Sequence, residues 1–173
     1  RKVILELLLA NHSVRCPTCE RNNSCDLQKL AFTSGVRDSR FHIERALLKR
    51  DETSMAIIRD PNKCILCGKC VRVCHNVQTV SVIDFFNRGT DLTVSTAMNK
   101  GLGNVECVGC GQCIHVCPTG AIKERTSVEK LWADIANPDK HVVVQEAPAV
   151  RAALGEDLGL PEGSLVTGKM YAV

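Results

Sequence analysis

The segment CILCGKCVRVC, residues 64–74, recurs with the same cysteine spacing as CVGCGQCIHVC at residues 107–117. Each copy carries four cysteines in the order C-x2-C-x2-C-x3-C. Three thiolates on so tight a loop can each reach a different corner of a cubane cluster, whereas the fourth lies on the helix that follows and points away. In folds with this spacing the fourth cysteine binds the other cluster. The repeat therefore predicts a ferredoxin-like domain that binds two 4Fe-4S clusters.

This arrangement predicts two interleaved ligand sets. One set consists of Cys64, Cys67, Cys70 and Cys117, and the other consists of Cys107, Cys110, Cys113 and Cys74. Gly68, Gly109 and Gly111 suit loops whose backbone approaches cluster sulfide closely. His75 stands after Cys74 where ferredoxins usually have proline, which marks a departure in local helix geometry. Zinc would need two C-x2-C pairs around one ion, and these runs do not divide in that way.

The remaining cysteines lie in NHSVRCPTCERNNSC, residues 11–25. This loop offers four candidate ligands, namely His12, Cys16, Cys19 and Cys25. Eleven cysteines and His12 together make twelve ligands, the number that three 4Fe-4S clusters require. A zinc site of three cysteines and one histidine stays open as an alternative for this loop. If a cluster binds here, the neutral imidazole should raise its reduction potential relative to an all-cysteine site.

Composition favours metal as a source of stability. Aromatic residues make up only 3% of the chain, so a conventional core is small. The odd cysteine count and the short spacings disfavour disulfides. The formal charge of +3 becomes roughly −2 when three clusters are bound, and no basic run is interleaved with aromatic residues. We therefore expect no nucleic-acid partner.

The longest apolar stretch, RKVILELLLA at residues 1–10, is interrupted by Glu6 and is far shorter than the roughly 20 residues of a membrane span. It predicts a helix. We expect a cytoplasmic protein, because a reducing compartment keeps thiols free. Because Arg1 opens inside this helix and Val173 closes inside an apolar element, we expect both ends to be internal to a longer protein.

The sequence as a whole predicts an α+β fold in three parts, residues 1–52, 53–126 and 127–173. In the first part, an amphipathic patch at residues 41–48 indicates a helix. In the second, the alternating sequence SVIDFFNRGTDLTVST, residues 81–96, predicts a β-hairpin with glycine at the turn.

The third part opens with a different pattern. A capping box from Thr126 to Glu129 predicts a helix that runs through Trp132 and Ile135. The sequence HVVVQ, residues 141–145, predicts a short buried strand, and residues 150–158 predict a helix that ends at glycine and proline.

These segments resemble the iron-only (FeFe) hydrogenase family along nearly the whole chain. ELLLANH and CPTCERNNSCDLQKLA, within residues 6–31, resemble a cluster loop shared with the large NADH dehydrogenase subunit and with NAD-linked formate dehydrogenases. RDPNKCILCGKCVRVC and GQCIHVCPTGAI resemble the two-cluster domain of hydrogenases and formate dehydrogenases. The sequence of residues 138–170 resembles the opening of the hydrogenase catalytic domain, where formate dehydrogenases would begin a molybdopterin domain.

The resemblance implies an electron relay in a hydrogenase subunit. The intact protein would be an enzyme, with a catalytic H-cluster and a 2Fe-2S cluster that this segment does not ligate, and Ala147, Pro148 and Ala149 would border the H-cluster pocket. Implied partners are ferredoxin, a flavin- or NAD(P)-binding redox subunit, or a formate-handling subunit. The alternatives are the same relay in an NAD-linked formate dehydrogenase or a complex I-like subunit, and, from another class, a zinc-stabilised interaction module.

Overall fold

The computed structural model describes residues 1–41, 43 and 47–172 of the chain. Contacts divide it into two compact units, Arg1–Thr126 and Ser127–Val173. The helices and strands of the first unit are α1 (Lys2–Ala10), α2 (Asp26–Thr33), β1 (Ile57–Arg59), α3 (Lys69–Arg72), β2 (Asp84–Phe86), β3 (Thr93–Ser95), α4 (Gln112–His115) and β4 (Ile122–Glu124). Those of the second unit are α5 (Val128–Ile135), α6 (Pro148–Asp157) and α7 (Thr167–Met170). This mixture confirms the α+β class, and the finer three-part division stays a prediction.

The predicted N-terminal helix is present as α1. Its leucines are strong helix formers, and Leu5 packs with Leu27 of α2 and with Val36 in a small apolar cluster. Glu6, which interrupts the apolar run, is also buried, and its carboxylate accepts a hydrogen bond from Arg40 Nε at 2.7 Å. The charged residue is therefore satisfied inside the fold.

The sequence repeat is also a repeat of backbone conformation. Leu66 and Gly109, each just before the second cysteine of its motif, have φ of +56° and +66°. Gly68 and Gly111, each just after that cysteine, have φ of +68° and +74° and begin α3 and α4. A Cβ on Gly68 would lie 2.9 Å from Phe85 Cζ, so this turn has no room for a side chain. Both loops thus bend twice through the left-handed region.

The two copies diverge at their fourth cysteine. α3 continues into a π-helical turn, Val73–Val77, which contains Cys74 and His75. α4 ends at His115, and Pro118 follows Cys117. Proline has no backbone N–H with which to extend a helix, whereas histidine keeps one. The departure noted in the sequence thus coincides with a different helical turn.

Two antiparallel strand pairs frame the repeat. The predicted hairpin is confirmed, with Asp84 opposite Ser95 and Phe86 opposite Thr93. The second pair was not predicted: β1, which precedes the first cysteine motif, pairs with β4, which follows the second. This pairing ties together the two ends of the repeat.

Cysteines form a large part of the main core. The buried residues of this core are Ile57, Cys70, Ile83, Val94, Leu102, Cys113, Cys117, Ala121 and Ile122. Phenylalanine, tyrosine and tryptophan are missing from this set of described residues. Sulfur and branched aliphatic side chains occupy the centre, as the low aromatic content predicts.

The second unit confirms two helices and corrects a strand. α5 begins one residue later than the capping box predicts, with Ser127 as its N-cap, and α6 covers the predicted helix near residues 150–158. The strand prediction at residues 141–145 is wrong: the segment has no strand structure, and Val143 and Val144 are 79% and 76% exposed. A strand needs a neighbour for its backbone groups, and none of the described residues of this unit provides one.

The predicted helix at residues 41–48 falls partly on residues 42 and 44–46, which lie outside the described residues. The part of this patch that the structure describes has no helical structure. None of the described helices has both the length and the apolar character that a membrane crossing requires.

Candidate iron–sulfur centres

The first predicted ligand set of the repeat surrounds one cavity. Cys64, Cys67 and Cys70 come from the loop and first turn of α3, and Cys117 comes from the end of the other copy. This cavity is here called the Cys70 cavity. Besides the cysteines, its walls include one buried cation, Arg59, two further charged residues, Asp60 and Lys69, and also Pro61, Ile65, Gly68, Val94, Pro118, Thr119, Ala121 and Ile122. The structure therefore brings these four thiols together across the repeat.

The second set surrounds another cavity. Cys107, Cys110 and Cys113 share it with Cys74, which the π-helical turn carries across from the first copy. This cavity is here called the Cys113 cavity. Apart from the cysteines, its walls are aliphatic residues and two glutamines, namely Ile57, Val73, Gln78, Val80, Val82, Ile83, Val108 and Gln112. The two cavities thus differ in charge although their ligand spacing is the same.

Cys70 and Cys113, one in each cavity, are costly to ionise in the absence of bound positive charge. Burial, reinforced by the neighbouring cysteines Cys64, Cys117 and Cys67, raises the pKa of Cys70 to about 12. Burial, reinforced by Cys107, Cys110 and Cys74, raises the pKa of Cys113 to about 11. Bound positive metal reverses this balance, because it stabilises the thiolates that ligate it.

The donor chemistry of both cavities fits a 4Fe-4S cluster. Four sulfur donors line each cavity, and iron–sulfur clusters of this type take four cysteine thiolates. Among the described residues, no three histidine, cysteine, aspartate or glutamate side chains converge as a single metal ion would require. The sulfur atoms instead line the walls of the two cavities.

His12 is oriented by the residue that precedes Cys64 of the Cys70 cavity. Its Nδ1 lies 3.0 Å from the carbonyl oxygen of Lys63, which also accepts a hydrogen bond from Thr119 Oγ1 at 2.8 Å. A carbonyl only accepts, so Nδ1 carries the proton and Nε2 keeps its lone pair. Histidine ligands of metals are usually held by such a second hydrogen bond. Burial lowers the pKa of His12, which also favours the neutral, ligating form.

The cysteines of the first loop lie beside the same region. Cys25 Sγ is 3.6 Å from the carbonyl oxygen of Pro118, the residue after Cys117, and a Cβ built on Gly120 would lie 3.8 Å from Cys19 Sγ. Cys16 begins a short 3-10 turn, and its carbonyl accepts from Cys19 N at 3.1 Å. The loop thus packs against the segment that follows Cys117. The convergence of His12 and these three cysteines on one cluster stays a prediction.

Sequence reasoning missed Arg59. This residue is only 6% exposed, and its guanidinium donates from Nη1 to the carbonyl of Val94 and from Nη2 to Ser95 Oγ at 3.3 Å. Its Nε lies 3.9 Å from Asp51 Oδ2 and has no hydrogen-bond partner among the described residues. The signal in the sequence was a cation that ends the apolar strand IIR, residues 57–59.

Asp51 completes this buried pair. Its backbone exchanges hydrogen bonds with that of Arg59, and its carboxylate accepts from Leu102 N at 2.9 Å and from Thr53 Oγ1 at 2.7 Å. Burial alone would raise the pKa of Asp51, but these hydrogen bonds and the charge of Arg59 together lower it. The carboxylate is therefore ionised and held in place.

The residues expected to border a catalytic pocket lie in the second unit. Ala147 is the N-cap of α6, Pro148 is its first residue, and both are exposed together with Ala149. Proline suits this first position because its N–H would have no partner within the helix. The role of the three residues at a pocket stays a prediction.

Comparisons with known families identify the chemistry of two regions. Residues 1–40 match the sequence model of the NADH-ubiquinone oxidoreductase-G iron-sulfur binding region. Residues 63–121 match the 4Fe-4S dicluster domain. The chain therefore contains iron–sulfur regions of the 4Fe-4S, electron-transfer type, and these matches disfavour the zinc alternative.

The relatives of this chain include hydrogenase subunits and a subunit of NADH-ubiquinone oxidoreductase. The chain is 46% identical over 172 residues to the NADP-reducing hydrogenase subunit HndD of Solidesulfovibrio fructosivorans, an alignment that covers 99% of this chain and 29% of that protein. It is 34% identical to iron hydrogenase 1 of Clostridium pasteurianum, over 95% of this chain and 29% of that protein. The mitochondrial NADH-ubiquinone oxidoreductase 78 kDa subunit of Neurospora crassa is 32% identical over 72% of this chain and 17% of that protein.

A solved structure gives the same picture of the fold. The crystal structure of an NAD⁺-reducing [NiFe]-hydrogenase in the H2-reduced state aligns with a TM-score of 0.66 and 29% identity, over 73% of this chain and 54% of that one. The chain spans less than a third of the length of the two hydrogenase relatives. It is thus similar to the iron–sulfur electron-transfer subunits of hydrogenases and of NADH-ubiquinone oxidoreductases.

Proposed function

We propose that the chain is the electron-relay segment of an FeFe hydrogenase catalytic subunit and that it holds three 4Fe-4S clusters. The ligands of the first are His12, Cys16, Cys19 and Cys25; those of the second are Cys64, Cys67, Cys70 and Cys117; those of the third are Cys107, Cys110, Cys113 and Cys74. Each bound cluster supplies a centre that takes up and releases one electron. The chain's own residues hold these centres and fix their spacing.

The interleaved ligation is supported by the two cavities. Cys74 and Cys117 each line the cavity whose other three cysteines belong to the opposite copy of the repeat. Cys70, Cys74, Cys113 and Cys117 are buried and aliphatic side chains line part of both cavities, so solvent access to these four thiols is low. Low solvent access is one of the factors that set a cluster potential.

The order of the relay is supported by contacts of the first loop. His12 contacts Lys63, the residue before Cys64, and Cys25 contacts Pro118, the residue after Cys117. Two ligands of the first set thus contact residues that are adjacent in the chain to ligands of the second set. This supports an order of first, second and third cluster, because the second and third sets share α3 and its continuation.

The choice of a hydrogenase rests on the extent of the similarity. The two hydrogenase relatives match 99% and 95% of the chain, whereas the relative from NADH-ubiquinone oxidoreductase matches 72%. The match to hydrogenases therefore includes most of the second unit, where Ala147, Pro148 and Ala149 would border the H-cluster pocket. In the intact, cytoplasmic protein we expect an H-cluster, a 2Fe-2S cluster, and electron exchange with ferredoxin or with a flavin- or NAD(P)-binding subunit.

A second candidate is the corresponding relay of a complex I-like dehydrogenase. It is favoured by the match of residues 1–40 to the NADH-ubiquinone oxidoreductase-G region. In that case the clusters would be reduced by NADH through a flavin subunit, and the protein would neither form nor consume hydrogen.

Metal analysis and hydrogen assays test the proposal together. Full-length protein reconstituted anaerobically should carry about twelve iron and twelve sulfide ions beyond those of the H-cluster and the 2Fe-2S cluster, whereas four or fewer beyond these would contradict three clusters. It should form H2 from reduced ferredoxin. A Cys113→Ala variant should lose this electron delivery but keep H2/D⁺ exchange, which needs no net electron flow. Loss of both activities to the same extent would contradict a relay role.

A further inference from the structure

We infer that Arg59 is a positioning residue whose positive charge raises the reduction potential of the cluster in the Cys70 cavity. The negative charge of Asp51 partly offsets this effect. This inference rests on the proposed function, since it requires a cluster in that cavity. It gives a function to the buried pair of Arg59 and Asp51, which the spacing of the ligands does not explain.

Arg59 lies at the wall of the Cys70 cavity. The side chain is buried and lines the Cys70 cavity together with its four cysteines. Burial lowers the pKa of the guanidinium, and the negative charge of Asp51 opposes this shift. A fixed cation at the wall of a cavity stabilises added negative charge inside it, and the reduced cluster carries one more negative charge than the oxidised one.

The two copies of the repeat provide an internal comparison. Arg59 stands five residues before Cys64, and the residue five positions before Cys107 is Leu102. Both side chains are buried, with Leu102 at 1% exposure in the main core. Among the described residues, no charged side chain lines the Cys113 cavity. A buried cation therefore lines the Cys70 cavity, whereas the described walls of the Cys113 cavity carry no charge.

The guanidinium is held in a fixed place. Val94 and Ser95 of β3 accept from its two terminal nitrogens, and Ser95 Oγ in turn donates to Asn99 Oδ1 at 2.6 Å. Asp51 Oδ2 lies 3.9 Å from its Nε. A cation fixed in this way cannot move out to solvent when the cavity changes charge, so its effect on the cluster is retained.

The two charges act on the cluster with opposite signs. Removing the positive charge of Arg59 should make reduction of the cluster in the Cys70 cavity harder, and removing the negative charge of Asp51 should make it easier. A purely structural role would not produce shifts of opposite sign. Arg125 offers a matched control, because it is exposed and donates to the carbonyls of Glu52 and Ser54 without lining either cavity.

The test is a redox titration of the full-length protein monitored by electron paramagnetic resonance, with cluster signals assigned by their loss in Cys70→Ala and Cys113→Ala variants. In Arg59→Met, the reduced-to-oxidised ratio of the Cys70-cavity cluster at a fixed potential should fall about tenfold, a midpoint shift of about 59 mV to lower potential. Asp51→Asn should shift it upward, while Arg59→Lys and Arg125→Gln should stay near wild type. The Cys113-cavity cluster should move much less in every variant.

Different outcomes would contradict the proposed function and the role of Arg59. If the wild-type protein shows no 4Fe-4S signals, the proposed function itself fails. If the signals are present but both Arg59→Met and Asp51→Asn leave the midpoint of the Cys70-cavity cluster unchanged, or shift both clusters equally, the assignment of Arg59 is wrong. Asp51→Asn nearly preserves side-chain shape, so the test remains decisive even if Arg59→Met does not fold.

Discussion

Replacing Cys74 with alanine tests the interleaved ligation most directly. Cys70 and Cys74 belong to one continuous helical segment, yet they line different cavities. Each alanine removes one of four ligands from one site, so each variant should keep roughly eight of about twelve iron ions after reconstitution. Alanine is preferred to serine because a serine oxygen could still bind iron.

Iron content alone does not identify the lost cluster, so the assay is a difference spectrum of the dithionite-reduced protein by electron paramagnetic resonance. Cys74→Ala should lose the same signal as Cys113→Ala, and Cys70→Ala should lose the same signal as Cys117→Ala. The clusters that remain in each variant report that the protein is folded. If Cys74→Ala and Cys70→Ala lose one common signal, each copy of the repeat binds its own cluster and the argument from the cavities is refuted.

Three further variants test the loop geometry, the histidine ligand and the buried carboxylate. Gly68→Ala should shorten the half-life of the brown cluster absorbance on heating more than Gly89→Ala does. Both glycines have positive φ, but only a Cβ at Gly68 would meet Phe85, at 2.9 Å. Equal half-lives of the two variants would contradict the steric argument. His12→Cys should lower the midpoint potential of one cluster, since a thiolate adds a negative charge, and an unchanged or higher midpoint would count against histidine ligation. Asp51→Asn should lower the free energy of unfolding at neutral pH, because the pKa of Asp51 is lowered in the folded protein. A carboxylate with a lowered pKa stabilises the fold above its ordinary pKa and loses that effect as the pH falls through its folded pKa. The difference in free energy of unfolding between Asp51→Asn and wild type should therefore shrink as the pH falls. A difference in the midpoint of denaturant unfolding that does not shrink as the pH is lowered would show that the charge of this carboxylate is not responsible.

Cysteine spacing carried most of what could be predicted about the site. It is a strong signal because a cubane cluster constrains both the distance between neighbouring ligands and the direction of the fourth. The spacing alone therefore predicts that Cys74 joins the ligand set of the second copy, without knowledge of any long-range contact. The helix α1 and the hairpin β2–β3 were equally accessible, since each depends on residues close together in the sequence.

Features that depend on distant residues were not accessible in this way. The pairing of β1 with β4 joins residues 57–59 to residues 122–124, and three-residue strands leave little periodicity to read. Arg59 was missed for the same reason, because its partners on β3 lie far along the chain. The strand prediction at residues 141–145 failed in the opposite sense, since an apolar run predicts burial but does not supply a partner.

The pairing of β1 with β4 has a consequence for how this repeat fits into larger proteins. Ile57 lies opposite Glu124, so the chain enters and leaves the two-cluster region at neighbouring points. A region whose ends meet can be inserted into a host chain, or supplied with new ends elsewhere, with little change to its interior. In this chain the neighbouring ends leave the sulfur-lined interior between them, while Asp51, just before β1, still contributes to its buried charge pair.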